Sequence, residues 1–240
     1  MSSPEIVILT GAGISAESGL RTFRAADGLW EDHRVEDVAT PEAWQRDPAL
    51  VQRFYNARRR QLLDGKVAPN AAHLALAELE AALPGQVLVV TQNIDDLHER
   101  AGTRNLIHMH GELLKARCTL SGKTLPVHDD LQTDHPCTCC QPTGRLRPHV
   151  VWFGEVPLEM ERIETALRSC KLFVSIGTSG HVYPAAGFVR AARDGGAHTL
   201  EMNLVPSLVR SEFDEHRTGP AGRLVPLWAE EIAGRGPQGG

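Results

Sequence analysis

Four apolar runs of strand length stand too far apart in this chain to be joined as hairpins. They are Ile6-Val7-Ile8-Leu9, Val87-Leu88-Val89-Val90, Leu172-Phe173-Val174-Ser175-Ile176 and the weaker Thr199-Leu200-Glu201-Met202. Runs without polar alternation read as strands buried on both faces, the habit of parallel sheets. Helical spacing lies between them. Residues 70–83 carry Leu74, Leu76, Leu79 and Leu83 before Pro84-Gly85 ends the run, and Asp47-Pro48 is an N-cap with a first-turn proline, opening a helix with Phe54, Tyr55 and Arg58. The alternation predicts an α/β fold with a doubly wound, Rossmann-like parallel sheet. Two segments break it, a polar stretch at 21–40 and a cysteine-bearing stretch at 117–148. The expected layout is one domain over residues 1–234. Residues 1–30, 68–114 and 148–234 form its large lobe, and a helical insertion at 31–67 with a zinc-binding insertion at 115–147 forms the small one. A Gly-rich tail follows at 235–240.

Composition narrows the partners. With 240 residues, 42% of them hydrophobic and 23% charged, the chain can bury a substantial core, which excludes disorder. A net charge of -5 leaves no broad basic face for nucleic acid or an anionic membrane. No apolar run approaches the roughly 20 residues of a membrane helix, and Glu5 stands where a secretory signal carries basic residues. The expectation is a cytoplasmic protein. Of five cysteines, Cys118, Cys137, Cys139 and Cys140 cluster, while Cys170 stands alone. An odd count in a reducing compartment favours a metal over disulfides.

The strand ends carry the chemistry. The first runs into Gly11-Ala12-Gly13-Ile14-Ser15-Ala16, a Gly-x-Gly-x-x-Ala turn between a strand and an expected helix. In the dinucleotide fingerprint Gly11 permits the tight turn, Gly13 lets amides approach a pyrophosphate, and Ala16 lets the helix pack closely. A dehydrogenase would place an acidic residue about 20 positions on, at the end of a second strand. Here Arg21-Thr22-Phe23-Arg24 opens a polar loop instead. Arg24 is placed to reach phosphate and Phe23 to cover the nicotinamide. The other runs end in Thr91-Gln92-Asn93-Ile94-Asp95, Gly177-Thr178-Ser179-Gly180 and Asn203. In an open parallel sheet such endings face one ligand crevice. Ile107-His108-Met109-His110-Gly111 supplies a general base near neutral pKa, and the residues alone leave His108 and His110 both open.

In this order the motifs resemble the sirtuin family over residues 6–228. They are Gly-Ala-Gly-Ile-Ser-Ala-Glu-Ser-Gly at 11–19, Thr-Phe-Arg at 22–24, Gln-Asn-Ile-Asp at 92–95, His-Gly at 110–111, Phe-Gly-Glu at 153–155 and Gly-Thr-Ser at 177–179. Tyr55-x-x-Arg58 and the run 149–155 resemble the class III branch, which includes bacterial CobB-type enzymes. The resemblance implies an NAD-dependent protein lysine deacylase that consumes NAD as co-substrate. It would remove acetyl, succinyl or malonyl groups and release free lysine, nicotinamide and O-acyl-ADP-ribose.

Site residues follow from the same resemblance. His110 becomes the base, with Asn93 and Asp95 ordering the nicotinamide ribose and carboxamide. Gly11, Ala12, Gly13, Ala16, Phe23, Arg24, Trp30, Gln92, Ile94, Gly177, Thr178, Ser179, Asn203 and Ala221 complete the NAD cradle. Tyr55 and Arg58 would bind the distal carboxylate of an acidic acyl group, and an extended acyl-lysine peptide would lie along Val151, Phe153, Gly154 and Glu155. One structural zinc is implied on Cys118, Cys137 and Cys140. Ser121 stands where the family's second Cys-x-x-Cys pair would end, which leaves Cys139, His128, His135 and Asp134 open as the fourth ligand. Val205 stands where many relatives carry glutamate. The implied partners are acyl-lysine proteins, without membrane or nucleic acid, and the implied state is a monomer. A dehydrogenase, an ADP-ribosyltransferase and an NAD-sensing module without turnover are the rival readings. All the site assignments require the imidazole at 110 and the amide at 93 to open onto one cavity.

Overall fold

The four apolar runs form the middle of a six-stranded parallel sheet, as Ile6–Thr10, Val87–Thr91, Leu172–Ile176 and His198–Asn203. The computed structural model describes residues 3–20, 29–30 and 33–234. Across the sheet the order is Glu215–Thr218, His198–Asn203, Leu172–Ile176, Ile6–Thr10, Val87–Thr91 and Leu106–His108, with Ile6 opposite both Val87 and Leu172. The chain steps outward from Ile6–Thr10 in one direction, then returns beside it and steps outward in the other. That reversal is the switch point at which doubly wound sheets bind ligands. The two edge strands escaped the sequence pattern. Leu106–His108 is too short to show a period, and Glu215–Thr218 contains no apolar residue.

Burial on both faces follows the strands residue by residue. Ile6, Ile8, Val87, Val89, Val174 and Ile176 pack on one face with Leu76, Leu79 and Trp228. Val7, Leu9, Leu88, Val90 and Phe173 pack on the other with Ile163, Leu167 and Phe188. Both forecast helix starts are present. The Asp47 carboxylate accepts from the Leu50 amide at 2.9 Å to open Pro48–Leu63. Asn70 accepts from the Ala72 amide to open Ala71–Ala82, and its Nδ2 donates to the Ile14 carbonyl and Ser18 hydroxyl, tying that helix to the glycine turn. The helix expected after the turn is only Ala12–Ser15, followed by a 3-10 turn at Ala16–Ser18.

Helices Val35–Val38, Pro41–Arg46 and Pro48–Leu63 share a separate apolar cluster with Leu113, Val150 and Trp152. A further cluster lies under a small antiparallel sheet of Thr124–Pro126, Gly111–Cys118 and Leu146–Val150, and holds Cys118 and Cys137. Among the described residues, no helix is long and apolar enough to cross a membrane.

Candidate active site

Glycine at 11 and 13 is required by the neighbouring turn. A Cβ on Gly13 would lie 2.6 Å from the Gly177 Cα, and one on Gly11 would lie 2.8 Å from the Gly177 carbonyl oxygen. Gly177 is itself left-handed, at φ 65°. The Gly13 amide donates to the Gly177 carbonyl at 2.9 Å and the Gly11 amide to that of Ile176 at 3.0 Å. The Gly13 and Gly11 amides are thus taken up within the turns themselves. These two amides join the ends of Ile6–Thr10 and Leu172–Ile176, because side chains at either position would force the turns apart. Asn203 extends the joint, donating from Nδ2 to the Thr178 carbonyl at 2.6 Å.

A short chain of polar side chains spans the next gap. Asn93 Nδ2 donates to the Gly11 carbonyl at 3.1 Å and to the Ser15 hydroxyl at 3.0 Å, and Ser15 donates on to Asp95 at 3.1 Å. Ser15 had no role in the sequence reading. Its only signal was a hydroxyl inside the glycine motif. Burial pushes Asp95 up to about 6, against the Leu97 amide and the Ser15 hydroxyl, which favour the carboxylate.

The two histidines separate cleanly. His108 has both ring nitrogens engaged, Nδ1 on the Asn93 carbonyl at 3.1 Å and Nε2 on Glu99 at 2.7 Å. Burial works against its protonation, but the Glu99 hydrogen bond and charge outweigh it and raise the imidazole. His110 Nδ1 lies 3.1 Å from the Gln92 carbonyl. A carbonyl only accepts, so Nδ1 carries the proton and Nε2 keeps its lone pair. Burial holds His110 below the usual imidazole range, opposed by the Gln92 contact, so the ring is a neutral base at neutral pH.

All described residues of the expected NAD and substrate sites line one cleft of about 690 Å³. From the strand ends come Gly11, Ala12, Gly13 and Ala16, then Gln92, Asn93, Ile94 and Asp95, then Gly177, Thr178 and Ser179, then Asn203 and Ala221, with His110 between them. Phe23 and Arg24 lie outside the described residues. Trp30 also lines the cleft, but stands edge-on to Phe54 at 5.1 Å and Tyr55 at 5.9 Å, on the wall formed by Pro48–Leu63. Val205 lines the cleft with its side chain exposed, among Leu204, Pro206 and Leu208.

That helix sorts three consecutive arginines by its geometry. Arg58 faces the cleft with Tyr55, its guanidinium 5.0 Å from the Phe54 ring centre. Arg59 is buried, donating to the Leu113 and Asp129 carbonyls and the Asn56 amide oxygen. Arg60 is exposed and pairs with Asp130. Tyr55 is fully buried and accepts from Trp152 Nε1 at 3.0 Å; burial raises its phenol above the ordinary range.

Val151, Phe153, Gly154 and Glu155 line the cleft, the last three in a turn that follows the strand Leu146–Val150. The Glu155 amide closes on the Trp152 carbonyl, and Gly154 takes φ 90°. Val151 and Phe153 donate their amides to the His110 and Ala39 carbonyls. A peptide along this run therefore meets mostly carbonyl acceptors. The Glu155 carboxylate turns inward, accepting from Arg147 at 2.7 and 2.9 Å and from the Trp152 amide at 2.9 Å.

In the cysteine module, the thiols of Cys118, Cys137, Cys139 and Cys140 lie within 4.8 Å of one another, and none forms a disulfide. The sulfurs of Cys118 and Cys140 are 3.6 Å apart and those of Cys137 and Cys140 are 3.1 Å apart. A tetrahedral zinc with ligands at about 2.3 Å needs sulfurs about 3.8 Å apart, so four thiolates fit this ion. The open fourth position falls to Cys139. His128, His135 and Asp134 are not in the cluster, and Ser121 lies beside it, 3.1 Å from the Cys139 sulfur. The hydrogen bonds of Ser121 lower the Cys118 thiol toward the thiolate a metal takes.

The model of the Sir2 family matches residues 11–184. An NAD-dependent protein deacylase of Pasteurella multocida is 66% identical over 227 residues, which are 95% of this chain and 97% of the relative. One of Salmonella typhi is 63% identical over 232 residues, 97% of this chain and 85% of the relative. Among solved structures, a Sir2 homologue in complex with NAD aligns with a TM-score of 0.85 at 37% identity, covering 96% of this chain and 90% of the other. A complex of Sir2, a p53 peptide and NAD+ aligns with a TM-score of 0.78 at 28% identity, covering 98% and 94%. The chain belongs to the Sir2 family.

Proposed function

We propose that the protein is an NAD-dependent protein lysine deacylase acting in the cytoplasm on acetyl-lysine and on lysine bearing the acidic succinyl and malonyl groups. One observation carries the reading: the lone pair of a neutral, half-buried histidine opens onto the same cleft as the glycine turns and as a tyrosine and arginine from the helical wall. When bound, NAD supplies the ribose carbon that receives the acyl oxygen as nicotinamide leaves. His110 Nε2 takes the proton from a ribose hydroxyl, while its Nδ1–H stays on Gln92 and fixes the ring. Asn93 and Asp95, both buried and coupled through Ser15, hold the nicotinamide end. Arg58 and Tyr55 receive the far end of the acyl chain, since a guanidinium and a phenol both suit a carboxylate. The sheet-based large lobe carries the dinucleotide, and the helical and cysteine modules form the small lobe. Zinc on the four cysteines would brace the antiparallel sheet, far from the proton transfer in role, through sulfur ligation alone.

Mass spectrometry of NAD incubated with matched acetyl-, malonyl- and succinyl-lysine peptides tests this. The expected products are nicotinamide and O-acyl-ADP-ribose with all three peptides. Reduced cofactor, ADP-ribose linked to protein, or unchanged NAD would overturn it.

A further inference from the structure

We infer that Trp152 fixes the direction of the Tyr55 hydroxyl and so biases the acyl pocket toward groups ending in a hydrogen-bond acceptor, an assignment that rests on the deacylase reading above. Trp152 Nε1 donates to that hydroxyl at 3.0 Å, with both residues buried. An indole N–H only donates, so the phenol oxygen accepts and its own hydrogen remains to be given. Burial keeps the phenol protonated, which preserves that hydrogen. Tyr55 lines the cleft, so an acceptor arriving there can take it.

The indole is held so that it keeps offering its N–H. The Arg147 guanidinium lies 3.4 Å from the Trp152 ring centre, Trp44 packs 5.7 Å away, and the Trp152 amide is fixed on Glu155 at 2.9 Å. Glu155 in turn clamps Arg147 through both oxygens. A ring gripped on its face and at its backbone has little freedom to turn its N–H aside. Arg58 faces the same cleft as the phenol and adds a cation. Two donors converging on the end of the acyl chain suit a carboxylate. A methyl end leaves the phenol hydrogen buried without a partner, which carries a cost. Trp152 is thus a positioning residue, acting on the acyl group through Tyr55.

The test compares kcat/KM on succinyl-lysine and acetyl-lysine peptides for the wild type, Trp152→Phe, Tyr55→Phe and the double variant. Tyr55→Phe is expected to lower the succinyl-to-acetyl ratio by about 10- to 100-fold, the size of a hydrogen bond to a charged group. Trp152→Phe is expected to lower it by about three- to tenfold, mainly through KM for the succinyl peptide, and to add nothing once Tyr55 is Phe. A Trp152 effect that persists undiminished in the Tyr55→Phe background would mean simple packing and would overturn the inference. So would an unchanged ratio in Trp152→Phe beside a fall in Tyr55→Phe, and in that case the pocket reading would survive. No fall in Tyr55→Phe, or no succinyl turnover by the wild type, would sink the acidic-acyl reading and this inference together. If Trp152→Phe fails to fold, a benzothiophene analogue placed at 152 removes the N–H while keeping the ring shape and carries the same comparison.

Discussion

The two walls of the cleft are built in different ways. The dinucleotide wall is backbone against backbone, Gly13 and Gly11 meeting Gly177 at distances that leave no room for a Cβ, with neutral side chains bridging the remaining gaps. The acyl wall is made of side chains, a phenol, an indole and several guanidiniums whose partners come from distant parts of the chain. On the proposed function, the first wall would determine what chemistry is possible and the second which acyl group receives it. Substitutions on the first should therefore affect all substrates alike, and substitutions on the second should separate them.

The largest expected effect lies on the first wall. His110→Ala should lower turnover of acetyl- and succinyl-lysine peptides equally, by about 10²- to 10⁴-fold, the usual contribution of a general base. Binding of ADP-ribose, followed by calorimetry, should persist. Selective loss on one acyl group would blur the distinction between the walls, and full activity with a dead His108→Ala variant would move the base to the other histidine.

This division also explains what could be read in the sequence. Glycine where backbones touch, Asp47 and Asn70 where helices start, and strands apolar on both faces are local demands, and each leaves a local mark. The acyl wall leaves fewer such marks. Trp152 and Tyr55 are 97 positions apart, and nothing near either residue announces the hydrogen bond. Arg58, Arg59 and Arg60 look alike in the sequence, where an arginine-rich helix face reads as solvated, yet only Arg60 is exposed. The choice of Cys139 over His128, His135 and Asp134 as fourth ligand stayed open for a similar reason. Cys139 belongs to no Cys-x-x-Cys pair and joins the others through the fold of the 118–140 loop.

The neutrality of the dinucleotide wall can be tested by titration. His73 and His98 lie buried edge to face, 4.9 Å apart, behind the glycine turn, where His98 bonds Thr10 and His73 accepts from the Asn70 amide. Burial lowers His73 to about 4 and drives His98 well below the usual value, the neighbouring His73 adding to it. Between the ordinary histidine pKa and about 4 the unfolded chain binds the proton first, so this stability is present above about pH 6.5 and is lost as pH falls. For His73 the loss is about 3 kcal/mol, at about 1.4 kcal/mol per unit. Asp95 works in the opposite sense. With its folded value raised to about 6, the native state takes the proton first and gains stability as pH falls below 6. The two partly cancel in the wild type, so the signature is a difference. His73→Gln should gain about 2–3 kcal/mol relative to wild type on going from pH 7.5 to pH 4.5 in urea unfolding. Parallel curves for the two proteins would show that the buried pair does not titrate.

A smaller effect should fall on the second wall and be confined to it. Arg58→Met removes the guanidinium but keeps an apolar stem over Phe54, so packing is largely preserved while the charge facing the cleft is lost. Turnover of succinyl-lysine peptides should fall by about 10- to 100-fold, the range of a charge-assisted hydrogen bond, with a much smaller change on acetyl-lysine peptides. Arg60→Met, two positions on, is the matched control. Its exposed pair with Asp130 should be worth no more than about 1 kcal/mol of stability, and its removal should leave the succinyl-to-acetyl ratio where it was. Because the two variants make the same chemical change on one helix, only orientation toward the cleft distinguishes them. Equal losses on both acyl groups in Arg58→Met would mean that the helical wall does not select the acyl group. A ratio that moved in Arg60→Met would mean that long-range charge acts there in place of contact, and a repeat at high salt would show it, since screening weakens an exposed charge far more than a bond made inside the cleft.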